Sequence, residues 1–182
     1  MRLLLFVALL SSTLFGSYLS TIYNYYEKQE YEKGCDYGTK YYTVNSSDEK
    51  FLTFYALSCL ETNHIDRIAR PMAQLTQSKS SRENASYFST ILLQKQLLMQ
   101  AILDDRPLGE LKLPQTNFYL SKIFDLFVAG TYTKDKDVYR LADSEKEDKY
   151  YELYIETTKK NEQYMIIDIY EENRFTKRYQ YK

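Results

Sequence analysis

Ser46-Ser47-Asp48-Glu49 is echoed 34 residues later by Ser80-Ser81-Arg82-Glu83, and Phe54 is echoed in the same register by Phe88. One step earlier, Tyr31-Glu32-Lys33 is matched by Ile65-Asp66-Arg67. A period of 34 residues is that of a two-helix unit. Units of that kind bury their apolar faces against each other and leave a grooved surface, which suits binding to other proteins better than catalysis.

Working outward from that register, the sequence predicts a first helix over 18–31, with Tyr18, Ile22, Tyr25 and Tyr26 at helical spacing. A second helix follows over 33–42 and carries Gly34 and Gly38. Glycine inside a helix costs about 1 kcal/mol relative to alanine, so this pair implies close backbone approach to a neighbour. The third helix, over 49–61, is expected to open on a capping box between Ser46 and Glu49, and the later Ser80–Glu83 stretch on a second one. The partner helix over 65–76 contains Pro71, which predicts a kink. A long helix then runs to Leu103, apolar on most sides between Ile91 and Leu103, the pattern of a sandwiched helix. A loop with Pro107, Gly109 and Pro114 leads to a helix over 115–129 that stops at Gly130.

Beyond Gly130 the period changes from helical to alternating. Residues 150–157, 163–170 and 174–181 read as strands separated by polar turns, and 138–141 as a short strand before them. Residues 131–137 read as a polar connector. The expected face of Leu153, Ile155, Ile167 and Ile169 packs on the helical body, against the helix over 115–129. Phe175, Lys177, Tyr179 and Tyr181 are expected to share a face. At most four short strands cannot bury a core alone. The expected fold class is therefore mainly α, about six helices in hairpins, with a small C-terminal antiparallel meander, α+β overall. The expected segments are a signal peptide over 1–16, a helical domain over 17–130 and the meander over 131–182.

The signal reading rests on Met1-Arg2, the apolar run Leu3–Leu10 and the small-residue exit ending at Gly16. Eight apolar residues are well short of the roughly 20 that span a bilayer as a helix, so cleavage near Gly16 and export to the periplasm are expected, with an uncleaved anchor as the alternative. Cys35 and Cys59 lie on consecutive helices at facing heights, and in an exported chain they are expected to form a disulfide.

With 24 basic and 25 acidic side chains, the net charge of −1 supplies no basic stripe for nucleic acid. The 20 tyrosines and absent tryptophan provide many rings that carry a hydroxyl, a residue type favoured at interfaces. His64 is the sole histidine and has no partner at metal-ligand spacing, and there is no Cys-x-x-Cys or nucleophile-elbow motif. Asp104-Asp105 and Glu171-Glu172 read as solvated loop charges. No catalytic residue, metal, cofactor or small-molecule substrate is expected.

Glu30-Tyr31-Glu32-Lys33-Gly34, and more loosely His64-Ile65-Asp66-Arg67-Ile68-Ala69, resemble the helix-turn-helix junction of tetratricopeptide and related repeats. The resemblance covers about residues 18–103 and lacks that family's Trp, first-helix Gly and closing Pro. The layout of an exported repeat body with a Tyr/Lys-rich tail also resembles accessory envelope proteins of flagellated ε-type proteobacteria, including proteins that decorate the flagellar motor. These resemblances imply a non-enzymatic periplasmic scaffold or adaptor that binds periplasmic or membrane-associated proteins of a larger assembly. In such solenoids the first helix of each repeat lines the concave face, which singles out Tyr23, Tyr26, Lys50 and Thr53 as partner contacts. Tyr179 and Tyr181 are further contact candidates on the tail. Two other readings stay open: a peptidoglycan- or carbohydrate-binding module that uses the tyrosines of the meander, and a hydrolase whose acids the sequence does not locate.

Overall fold

The computed structural model describes residues 17–182, and the expected signal segment over 1–16 lies outside the described residues. These residues form six α-helices: α1 Tyr18–Glu27, α2 Tyr31–Tyr41, α3 Glu49–Glu61, α4 Ala69–Gln74, α5 Lys79–Leu103 and α6 Tyr119–Val128. Five strands follow, β1 Tyr132–Asp135, β2 Val138–Ala142, β3 Lys149–Thr157, β4 Gln163–Glu171 and β5 Arg174–Tyr181. They make one antiparallel meander in sequence order. The fold is the expected α+β arrangement of helices followed by sheet. No helix among the described residues is long and apolar enough to cross a membrane.

The closest helix pair is α2 on α3. A Cβ added at Gly34 would sit 2.5 Å from Ser58 Oγ, and one added at Gly38 would sit 2.1 Å from Tyr55 Cδ2. The two glycines, one turn apart, are therefore the gap through which the α3 side chains pass. Cys35 lies between them and bonds to Cys59 with Cα atoms 4.6 Å apart, and both cysteines are fully buried. Arg67, from the 3₁₀ turn Ile65–Ile68, donates to Asp36 Oδ1 at 2.9 Å. His64 Nε2 contacts Glu32 Oε1 at 3.0 Å. Two acids one turn apart on α2 thus hold the chain that leaves α3.

Several local expectations change. Ser46 does not cap α3: Asp48 does, its Oδ1 accepting from the amides of Lys50 and Phe51. Asp48 sits directly before the helix and its short carboxylate reaches both amides, so Glu49 is released for a contact elsewhere. Likewise Ser78, not Ser80, caps α5 by accepting from the Ser81 amide. Pro71 kinks nothing. The segment breaks before it, into the 3₁₀ turn and the short α4, so Pro71 falls in the first turn of α4, where a missing N–H costs little. The helix expected over 115–129 starts at Tyr119, because Thr116 and Ser121 hydroxyls bond each other at 2.6 Å and hold 115–118 as a turn.

In the sheet, residues 132–135 pair with β2 and form a fifth strand where a polar connector was expected. Their exposure leaves no alternation to read, except Tyr132, which stacks on Phe127 of α6 at 5.1 Å. Pairing of Leu153 with Ile167 and of Tyr151 with Ile169 puts the expected apolar row on one face. That face meets α5 as well as α6, with β3 against α5 and β2 against α6. Tyr139, Leu141, Met165 and Tyr181 complete it. A bulge at Ile169/Tyr170 shifts the β5 register, so Phe175 pairs with Tyr170 and leaves the face of Lys177, Tyr179 and Tyr181. Between the layers, Lys122 of α6 reaches Asp143 at 2.9 Å, and Tyr151 donates a hydroxyl bond to the same carboxylate. Burial alone would raise the Asp143 pKa; the bonds from Tyr151, the Glu145 amide and Lys122 outweigh it and hold the group at about 2.

Gly38→Ala should cost about 2 kcal/mol, because the new methyl meets the root of the Tyr55 ring, which cannot swing away. Reduction of the Cys35–Cys59 bond should cost about 3 kcal/mol. Denaturant titrations of the variant and of the reduced protein check both values.

Candidate functional site

The chain places α1, α3 and α5 side by side, with α1 packed on α3 and α3 on α5. Ile22 of α1 and Phe51, Leu52 and Tyr55 of α3 point into the core. Tyr23 is turned out towards solvent, while Tyr26, one turn on from Ile22, and Phe54 are half-buried at the border of that core. Both tyrosines close on Phe54, with ring centroids at 5.2 Å for Tyr23 and 5.5 Å for Tyr26. Tyr26 also packs on Tyr31 at 5.3 Å. Tyr23 is 43% exposed, so the cluster is open to solvent.

Tyr87 of α5 extends this aromatic face towards the far side and donates its hydroxyl to Asn117 Oδ1 at 2.8 Å. Burial first, and then the Glu61 carboxylate, pushes the Tyr26 and Tyr87 hydroxyls up in pKa. Both hydroxyls stay protonated and neutral at the rim of an apolar surface. Lys50 is exposed beside Phe54. With Ser17, Leu19, Ser20 and Tyr23 these two residues outline an open, mostly apolar depression of about 340 Å³. Thr53, one residue before Phe54, takes a long 3.5 Å bond from Asn84 Nδ2 of α5. Of the four helix residues singled out by the repeat register, Tyr23 and Tyr26 meet Phe54, Lys50 borders the same depression and Thr53 faces α5.

The polar border of this face is fixed by Glu49. Its carboxylate accepts from the amides of Thr76 and Gln77 at 2.6 Å each and from Ser78 at 3.1 Å. These donors lie at the entry to α5, where free N–H groups and the helix dipole favour an anion. Arg82 closes the same loop from the other side by donating to the carbonyls of Thr76 and Gln77. The amide bonds, that of Gln77 first, bring the Glu49 pKa down to about 2. A loop that would otherwise move is therefore tied to the start of α3.

The tail candidates stand differently. Tyr181 is 2% exposed. Tyr179 is half-buried and stacks on Tyr119 of α6 at 4.6 Å. Their pairing with Met165 and Ile167 puts both on the helix-facing side, where they join sheet to helices instead of facing solvent. The outward side of the sheet carries Tyr150 and Tyr170, stacked at 4.8 Å and 5°, with Arg140 over Tyr150 at 4.7 Å. The two rings cover one face of each other, and the guanidinium covers the second face of Tyr150. Tyr154 is tied to the buried Asp168, which Arg178 also grips at 2.7 Å.

Among the described residues no three His, Cys, Asp or Glu side chains converge as a metal site would require. Asp105 pairs with Lys134 at 3.0 Å and Glu171 with Lys149 at 2.8 Å. Phe54 and Tyr87 are the members of the face that sequence reasoning did not single out as contacts. Phe54 was legible only as a register mark, and Tyr87 precedes the core residue Phe88 with no signal of its own.

The Glu49 contact has a pH signature. The folded pKa lies below the ordinary 4.5, so its stabilisation is complete above about pH 4.5 and is lost as pH falls towards 2. Glu49→Gln should be less stable than wild type at neutral pH, and the gap should narrow steadily over that acid window. Chemical denaturation at several pH values measures the gap directly.

No family model matches the chain, and no curated protein or solved structure matches it either.

Proposed function

We propose that this protein is a non-enzymatic adaptor that binds other proteins of an envelope assembly through the face of α1, α3 and α5. The observation that carries the reading is the open aromatic cluster of Tyr23, Tyr26 and Phe54, with Lys50 and Thr53 at its border. Aromatic rings with a polar tip give large contact area at small entropic cost, and such residues dominate binding energy at interfaces. The surface is also rigid. α1 and α3 are both locked to α2, one by packing and the other by the Gly34–Gly38 contact and the disulfide, so little order has to be gained on binding.

The disulfide supports an oxidising compartment, in keeping with export to the periplasm. The flagellar motor is the narrowest form of the proposal and rests on the layout of the sequence alone. A sugar-binding role for the sheet gains less support, because a pyranose stacks on open ring faces and those of Tyr150 and Tyr170 are engaged.

A photo-crosslinking residue at Lys50 should yield a discrete protein adduct in intact cells, and one at Lys159 on the far hairpin should not. Phe54→Ala should remove the adduct and weaken binding of the identified partner by roughly thirtyfold, the effect of losing an interface anchor worth about 2 kcal/mol. Equal adducts at both positions, or an adduct insensitive to Phe54→Ala, would retire the proposal. Normal motility after deletion of the gene would remove the motor version alone.

A further inference from the structure

The sheet has two ends, and they are unlike. β1 is four residues long, whereas β5 is eight and forms the opposite edge. β5 is hydrogen-bonded to β4 on one side. Among the described residues its other side has no backbone partner. The Lys182 backbone oxygen is held separately: Lys95, a nearly buried lysine of α5, donates to it. The end of this edge is therefore anchored to the helical body, which keeps the strand extended and its unpaired groups in line.

The edge is also one-signed. From Asn173 to Lys182 the chain has Arg174, Lys177, Arg178 and Lys182 and no acidic residue. Arg178 is matched by Asp168 and Glu156 within the sheet, and Lys182 by Glu162. Arg174 and Lys177 are exposed and have no ion-pair partner among the described residues. Between them on the outward side stands Phe175, 55% exposed, touching Tyr170 only by an edge-on contact at 6.0 Å.

From these features we infer that β5 is an acceptor edge for an extended acidic segment of another protein, which adds a sixth strand to the sheet. Backbone pairing supplies the ladder, as in other cases of strand addition. Opposite-charge pairs directly across a ladder stabilise it and like charges oppose it. The basic row therefore attracts an acidic strand and resists a second copy of β5. The β1 edge of a second copy is a poor substitute, since it has four residues and carries both Lys134 and Asp135. The side chains state what the incoming strand should offer: carboxylates beside Arg174 and Lys177 on the helix-facing side, and an apolar side chain against Phe175 on the outward side. This surface lies on the sheet, apart from the α1–α3–α5 face, so the two readings stand or fall separately.

The test uses the folded, disulfide-bonded protein and a synthetic peptide of about eight residues, the length of a typical strand, alternating glutamate and valine. The controls are the same peptide with lysine for glutamate and a version N-methylated at every second backbone amide. The acidic peptide should protect alternate amides of residues 176–181 from hydrogen exchange. Combined Arg174→Gln and Lys177→Gln, which remove both charges without setting a like charge opposite Glu171, should weaken its binding at least roughly tenfold and leave the protein folded, since both side chains are exposed. The lysine peptide and the N-methylated peptide should not bind, and Phe54→Ala should change nothing. Equal binding of the N-methylated peptide would mean attraction by charge alone and would overturn the inference. So would protection confined to α1 and α3, loss of binding in Phe54→Ala, self-association of the protein through β5, or no binding of the acidic peptide.

Discussion

The passage of Tyr55, Ser58 and Cys59 through the gap left by Gly34 and Gly38 is the constraint on which the rest of the helical body depends. Two helices can approach this closely only where one of them has no side chains, and the cysteine pair then closes at the same height. Once α2 and α3 are fixed, the turn after α3 is caught by Asp36 and Glu32 through Arg67 and His64. The start of α3 carries Glu49 to the amides before α5. Each contact transmits the α2–α3 geometry one element further, from the turn after α3 to the entry of α5.

The tyrosines divide into two populations by what their hydroxyls meet. Tyr119, Tyr151, Tyr179 and Tyr181 lie between helices and sheet, where burial raises the Tyr119, Tyr151 and Tyr181 hydroxyls far above their ordinary value and keeps them neutral. They act there as large apolar bodies, and Tyr151 is satisfied by Asp143. Tyr23, Tyr26 and Tyr87 stand at the edge of solvent, where a ring with a polar tip can be covered by a partner or left wet at modest cost. The same residue type thus serves cohesion between the layers and borders solvent on the outer face.

The strand over 150–157 was legible from its alternation, with Tyr151 and Leu153 buried, and the one over 163–170 from its β-branched residues, because 165–169 is buried on both faces and leaves no period of two to read. β1 was not legible, because an exposed edge strand places no hydrophobic demand on its residues. The same logic explains the caps. Ser46 and Ser80 match the capping pattern, but Asp48 and Ser78 stand closer to the first free amides and take them instead. Local sequence names several residues able to cap, and the start of the helix chooses among them.

The sequence by itself determined the order of the helices and of strands β2 to β5, the glycine-mediated approach of α2 to its neighbour and the pairing of the two cysteines, because each follows from periodicity or from spacing along a single hairpin. It also named Tyr23, Tyr26, Lys50 and Thr53 as expected contacts, of which Tyr23 and Tyr26 meet at Phe54. Only the tertiary structure decided that Phe54 is their centre, since a ring on α3 meets rings on α1 through packing that no local pattern encodes. It alone turned Tyr179 and Tyr181 inward and Phe175 outward. That outcome rests on one bulge at Ile169/Tyr170, and a shift of one residue in a strand sends every later side chain to the opposite face.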